Sequence, residues 1–222
     1  MRRAPQENRQ SSAVELVCFD LGRVLVQICD GWIEACTIAG VEVPKCIMDQ
    51  TMQQRLRDLG RRHETGLIDD QAHDDEAAAL TGLSPDTIAA VCCAWLKQPY
   101  CGVDDLLDEL ASNGICTACL TNTNTRHWRM MVGEAPSSAA LPLHRLNYRL
   151  ASHLIGAAKP NVTAFKHVER TTGIRPHAIL FFDDAPENCS AARELGWSAC
   201  RISTGEEPVA QMRDYLAQYG VL

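Results

Sequence analysis

The apolar run Leu16-Val17-Cys18-Phe19 stops abruptly on Asp20 and reaches a glycine at Gly22. Consecutive apolar residues suit a strand buried on both faces, which means a parallel sheet covered by helices. Open α/β sheets hold their ligands just outside the carboxyl ends of such strands. An acid at that address is therefore a candidate nucleophile or metal ligand. The pattern recurs twice. Ala178-Ile179-Leu180-Phe181-Phe182 runs into Asp183 and Asp184, and Ile115-Cys116-Thr117-Ala118-Cys119-Leu120 runs into Thr121-Asn122-Thr123-Asn124. Between them, Gly156-Ala157-Ala158-Lys159-Pro160 sets a lysine in a turn-like context.

In one parallel sheet these strand ends share an edge, so Asp20, Thr121, Lys159, Asp183 and Asp184 converge on a single pocket. Three carboxylates cannot sit together ionised unless cations neutralise them. Lys159 brings one positive charge, and a divalent metal would bring the other two. Carboxylate oxygens without a Cys/His set beside them favour a hard ion, magnesium first. A phosphate oxygen can then complete the metal's coordination.

Taken together, four segments resemble the motifs of the haloacid dehalogenase-like hydrolases. They are Phe19-Asp20-Leu21-Gly22-Arg23-Val24-Leu25, Leu120-Thr121-Asn122-Thr123-Asn124, Lys159-Pro160, and Phe182-Asp183-Asp184-Ala185-Pro186-Glu187-Asn188, in that order. The likeness covers almost the whole chain past its first dozen residues. It implies an α/β fold, a doubly wound parallel sheet of Rossmann-like type with an inserted α-helical cap. It also implies a magnesium-dependent phosphatase that hydrolyses a small phosphate monoester of a phosphorylated metabolite through an aspartyl-phosphate intermediate. On this resemblance Asp20 is the nucleophile, splitting one hard displacement into two easier ones. Asp20, the backbone carbonyl of Gly22 and Asp184 would hold the metal, with Asp183 either binding it too or supporting its ligands. Thr121 and the amide after it would bind the phosphoryl group, Lys159 would neutralise it, and Asn122 would orient substrate or Asp20.

One departure stands out. Phosphatases of this family usually carry a second aspartate two residues after the nucleophile as general acid and base, and here that position is Gly22. Losing a general acid removes roughly 10²–10⁴ in rate. The Asp-Leu-Gly form, with Thr-Asn at the second motif and Phe-Phe-Asp-Asp at the fourth, is similar to the branch of α-D-glucose-1-phosphate phosphatase-like proteins. An anomeric oxygen is a better leaving group than an ordinary alcohol, so a sugar 1-phosphate suffers less from a missing acid. A non-catalytic phosphate-binding module stays open as an alternative. A dehalogenase gains nothing from two adjacent acids, and a phosphonate hydrolase needs a reactive cap lysine, for which Lys45 and Lys97 offer no recognisable pattern.

The domain division expected is a core of residues 13–28 and 101–222, a helical cap over 29–100, and a disordered tail over 1–12. No strand-like run is expected between about residues 30 and 100. Inside the cap, His63-Glu64-Thr65-Gly66 reads as a helix end, with a new helix capped by Asp69. Arg61, Arg62 and His63 are candidate contacts to the leaving group, and His63 is the candidate replacement for the missing acid. In the core, helices are expected over 103–112, 161–172, 187–195 and 207–219, with a last strand over 198–202.

A net charge of −7 disfavours nucleic acid and anionic membrane surfaces as partners. The polar start has no apolar stretch of the secretory kind, and no segment approaches the length of a membrane span. Eleven cysteines, an odd number scattered through apolar runs, fit reduced thiols of a cytoplasmic protein. Cys116 and Cys119, three apart on a strand, point to opposite faces and read as packing rather than as a redox or zinc pair.

Overall fold

A computed structural model describes residues 14–204 and 207–222. The tail expected over residues 1–12 lies outside the described residues.

Strand β1 (Leu16–Phe19) is followed by a short strand β2 (Val26–Ile28). Four helices then intervene, α1 (Trp32–Ile38), α2 (Gln50–Glu64), α3 (Asp70–Thr81) and α4 (Pro85–Ala94). Strand β3 (Leu96–Pro99) returns antiparallel to β2 and closes this insertion. From there helices and strands alternate: α5 (Val103–Ser112), β4 (Cys116–Thr121), α6 (Thr125–Met131), β5 (Tyr148–Ala151), α7 (Ser152–Ile155), α8 (Val162–Thr172) and β6 (Ile179–Asp183). The chain closes with α9 (Pro186–Glu194), β7 (Ser198–Arg201) and α10 (Pro208–Gln218).

Five strands form one parallel sheet in the order β5-β4-β1-β6-β7. Alternation along β1 divides the core in two. Val17 and Phe19 pack with Leu106, Leu110, Met212 and Leu216 of α5 and α10, while Leu16 and Cys18 pack with Phe165, Val168 and Ala192 of α8 and α9. Cys119 joins the first of these layers and Cys116 borders the second, so the two thiols do face opposite ways. No cysteine of the eleven is paired in a disulfide. Among the described residues no single helix is long and apolar enough to cross a membrane.

The sheet order seats β1 between β4 and β6, so Asp20, Thr121 and Asp183 end adjacent strands. Two strands depart from the sequence expectation. β3 falls inside the stretch expected to hold none, because only Leu96 is buried and its ladder meets β2 alone. β5 was not anticipated either. It is an edge strand whose first two residues, Tyr148 and Arg149, stand at or near solvent.

The insertion has an apolar centre of its own, formed by Ile47, Leu56, Leu59, Ala77 and Ile88. Its seam with the sheet domain is polar. Arg126 of α6 grips Asp74 of α3 through two bonds of 3.0 and 2.6 Å, and the Arg126 amide donates to Asp70 at 3.3 Å. The Ser152 hydroxyl donates to the Glu64 carbonyl at 2.5 Å. Gly66 makes the nearest approach: a Cβ there would lie 2.5 Å from the His153 carbonyl oxygen, and its φ of +70° also favours glycine.

Breaking a buried ion pair by removing one partner leaves an uncompensated charge, which costs about 3–5 kcal/mol. Arg126→Met leaves Asp74, whose side chain is 7% exposed, with only the His73 imidazole as partner, so a loss toward the lower end of that range is expected in urea denaturation.

Candidate active site

Each acid of the site is placed by the strand that it ends. The Asp20 amide donates to the Phe182 carbonyl at 2.8 Å, extending the β1–β6 ladder past Phe19 and fixing the nucleophile candidate beside the acids of β6. One ligand oxygen from each of Asp20, Asp183 and Asp184 lies within 4.8 Å of the others. Lys159, in the turn before α8, reaches between them, with Nζ 2.9 Å from Asp20 Oδ1 and 2.6 Å from Asp183 Oδ2.

Asp20, Lys159 and Asp183 are almost out of water, Asp184 is partly so, and their protonation reflects it. Burial pushes the Asp20 carboxyl up to about 7, against the pull of the Lys159 ammonium. Burial opposes the charge on Lys159 as well, yet the carboxylates of Asp20 and Asp183 hold its ammonium well above the usual lysine range. Burial and Asp183 together raise Asp184. One ammonium therefore does not neutralise three carboxylates, and the donor set, all oxygen, has the character a hard divalent cation takes.

The two acids of β6 have different surroundings. Asp183 is fully buried and saturated by Lys159, by the Asn188 amide at 3.0 and 3.1 Å, and by the Ala185 N–H at 2.9 Å. Asp184 is partly exposed, its closest cationic neighbour being the Arg23 guanidinium at 3.8 Å. Asp184 therefore has oxygen lone pairs to offer a ligand, while those of Asp183 are engaged.

Thr121 is buried at the end of β4 and lines the cavity described below. Asn122, expected to orient substrate or Asp20, has its side chain on the loop of Lys159. Its side chain accepts from the Lys159 amide at 2.8 Å and donates to the Lys159 carbonyl at 2.9 Å, so it clamps the loop that carries the lysine. At Gly22 a Cβ would meet Ile28 Cδ1 at 3.3 Å. A side chain from β2 thus crowds the position where the usual acid would begin.

Between the strand ends and the helical insertion lies a cavity of about 960 Å³. Gly22, Thr121 and Asn122 line its sheet side, and Trp32, Arg61, His63 and Glu64 line the side of the insertion. Of the candidates on the insertion, Arg62 turns outward to pair with Glu76 at 2.7 and 3.0 Å. Arg61 reaches the cavity wall but pairs with Asp58. His63 is buried there with Nε2 2.7 Å from Asp70, and its ring stacks on His73 with centroids 4.4 Å apart. Lys97 is held by Glu34 at 2.5 Å. Sequence reasoning passes over Glu64, which the structure places in the cavity wall; its position next to the helix-ending Gly66 was legible, its direction was not.

A parallel five-stranded sheet gathers acids, a lysine and a hydroxyl at its carboxyl edge, and comparison with known proteins gives the class. The family model for haloacid dehalogenase-like hydrolases matches residues 14–196, and the chain belongs to that family. It is 26% identical over 186 residues to Phosphatase MT3486 of Mycobacterium tuberculosis, covering 83% of this chain and 75% of that protein. Among solved structures it is similar to the family enzyme bt-2542 of Bacteroides thetaiotaomicron, with a TM-score of 0.79 and 25% identity over 91% of this chain and all of that one. The same enzyme solved as a complex with magnesium and inorganic phosphate aligns with a TM-score of 0.71 and 27% identity, covering 87% of this chain and 96% of that one.

His127 on α6 also lines the cavity, with Nε2 2.8 Å from the Cys92 carbonyl. Burial holds its imidazole down to about 4, whereas an unfolded chain titrates near about 6.5. Above that value the ring is neutral in both states; below it the unfolded chain binds a proton that the folded ring refuses, and stability is lost as pH falls. The stability advantage of wild type over His127→Gln should shrink between about pH 6.5 and about pH 4, measured by denaturant unfolding at each pH.

Proposed function

We propose that this chain is a magnesium-dependent phosphatase of small phosphate monoesters that works through an aspartyl-phosphate on Asp20. The observation that carries the reading is the Asp20–Lys159–Asp183–Asp184 cluster, at the same strand ends whose Gly22 and Thr121 line a cavity large enough for a small phosphorylated metabolite. The names of the mycobacterial relative and of the complex of bt-2542 with magnesium and phosphate support it.

The donor set fits magnesium, with Asp20, Asp184 and the Gly22 carbonyl to hold it and Asp183 as support. When bound, the ion supplies positive charge that offsets the carboxylates and the incoming phosphate. Asp20 attacks phosphorus, and its carboxyl becomes an acyl phosphate as the ester oxygen leaves. Lys159 neutralises both nucleophile and phosphoryl oxygens, Thr121 and the amide after it bind those oxygens, and Asn122 keeps Lys159 in register. Water then attacks phosphorus and regenerates the Asp20 carboxylate. The helical insertion acts as a cap that encloses the leaving group. An anomeric or otherwise activated ester, such as a sugar 1-phosphate, suits a site with no side chain at Gly22. The odd number of cysteines, scattered through apolar runs, supports a reducing, cytoplasmic setting.

Gly22 itself favours a second reading, a pocket that binds a phosphate ligand without turning it over. The two are separated by phosphate release from glucose 1-phosphate, an aryl phosphate and alkyl phosphates. Release is expected to need magnesium, to stop with EDTA, and to fall to background in Asp20→Asn. Well-folded protein that binds phosphate with magnesium but releases none from any ester would establish the second reading.

A further inference from the structure

We propose that the Glu64 carboxyl is the general acid for the leaving oxygen, filling from the helical insertion the role left without a side chain at Gly22. This assignment rests on the phosphatase reading above and specifies how that site completes its chemistry.

Geometry sets what such a group must do. In-line attack by Asp20 puts the departing oxygen on the far side of phosphorus from the nucleophile, which here is the side of the insertion. An acid must stand in that wall, carry an exchangeable proton and be uncommitted to another partner.

The cavity wall offers few candidates, and most are engaged. Glu34 is paired with Lys97, whose hydrogen bond holds its carboxyl below the usual range. His63 is tied to Asp70, and His73 has Nδ1 3.1 Å from Asp74. His127 has one ring nitrogen against the Cys92 carbonyl and the other 3.3 Å from Asn124. Glu64 differs from all of these. Glu64 lines the cavity in a partly buried position, and its carboxyl makes no hydrogen bond or ion pair to any described residue.

Its position is built rather than incidental. The Ser152 hydroxyl, which donates to the Glu64 carbonyl, also accepts from the Thr123 amide at 2.9 Å. One serine therefore joins the backbone that carries Glu64 to the loop two residues beyond Thr121. Gly66 seats the same turn against the His153 carbonyl, an approach that a Cβ would block. Burial raises the Glu64 carboxyl, against the opposing pull of His63, Arg61 and Lys159, which favours the protonated form that an acid needs.

The step balances without further reactants. As the Asp20 oxygen bonds to phosphorus and the ester P–O bond breaks, the Glu64 proton passes to the departing alkoxide, giving a neutral alcohol and a Glu64 carboxylate. In the second half, that carboxylate takes a proton from the attacking water while the Asp20–phosphorus bond breaks, which restores both groups.

The test is the leaving-group dependence of kcat/KM, which reports the first displacement. Wild type is compared with Glu64→Gln and Glu64→Ala on p-nitrophenyl phosphate, whose leaving group needs no proton, and on alkyl phosphates including glycerol 3-phosphate. Both variants are expected to lose roughly 10²–10⁴ on alkyl esters and less than about 10-fold on the aryl ester, with thermal unfolding unchanged for Glu64→Gln. Loss of equal size on both esters would make Glu64 a positioning residue and overturn the assignment, as would an undiminished alkyl rate. Wild type active on aryl esters alone would show that no acid operates. Wild type inactive on every ester would instead sink the phosphatase reading, and this role with it.

Discussion

The Lys159 ammonium, buried between Asp20 and Asp183, is the contact on which the site depends. A lysine taken out of water loses its charge unless acids repay the lost hydration, and acids so close together lose theirs unless a cation separates them. Each group is therefore tolerable only because of the others. The sheet order makes the arrangement possible, since it sets β1 between β4 and β6 and brings the ends of three sequence-distant strands to one edge. Asn122 then fixes the lysine from the neighbouring strand end, through both backbone groups of Lys159 rather than through its side chain.

The second constraint is the seam between insertion and sheet domain. It is held less by apolar packing than by Arg126–Asp74, by the Ser152 bridge and by the tight seat of Gly66. Directional bonds of this kind fix orientation as well as contact, so the insertion presents one particular face to the strand ends. The cavity is the space left between those two surfaces, and its wall is set by which side chains the end of α2 turns inward.

How much of this was legible in the sequence follows from what each signal records. β1, β4 and β6 are buried on both faces, so each reads as a near-continuous apolar run ending on its functional residues, and fold and acid cluster follow from those runs. β5 and β3 carry no such signal: on the edge strand β5 Arg149 is exposed and Tyr148 only borders the core, and β3 holds a proline and a single buried leucine. Sequence order also separates Asp183 from Asp184 only by resemblance, whereas the Asn188 and Ala185 donors show why one is saturated and the other is not. The end of α2 was read correctly as a helix stop. Which of Arg61, Arg62, His63 and Glu64 faces the cavity depends on partners from α3 and α7, which local pattern cannot supply.

The exchange of an acid at position 22 for one at position 64 has an electrostatic logic. A carboxylate beside Asp20 would join a cluster in which one ammonium already faces three acids, and like charges at such range raise one another. Moved across the cavity, the acid is spared most of that repulsion, and its protonation is set by burial in a wall that also holds His63 and Arg61. On the proposed assignment it would also meet the leaving oxygen from the insertion, rather than from the side of the nucleophile. A Cβ at Gly22 would stand 3.3 Å from Ile28 Cδ1, so a side chain there would need the tip of Ile28 to yield slightly. The two features are thus coupled: an insertion docked by fixed hydrogen bonds can carry a catalytic proton, and a strand end relieved of that duty can keep a glycine.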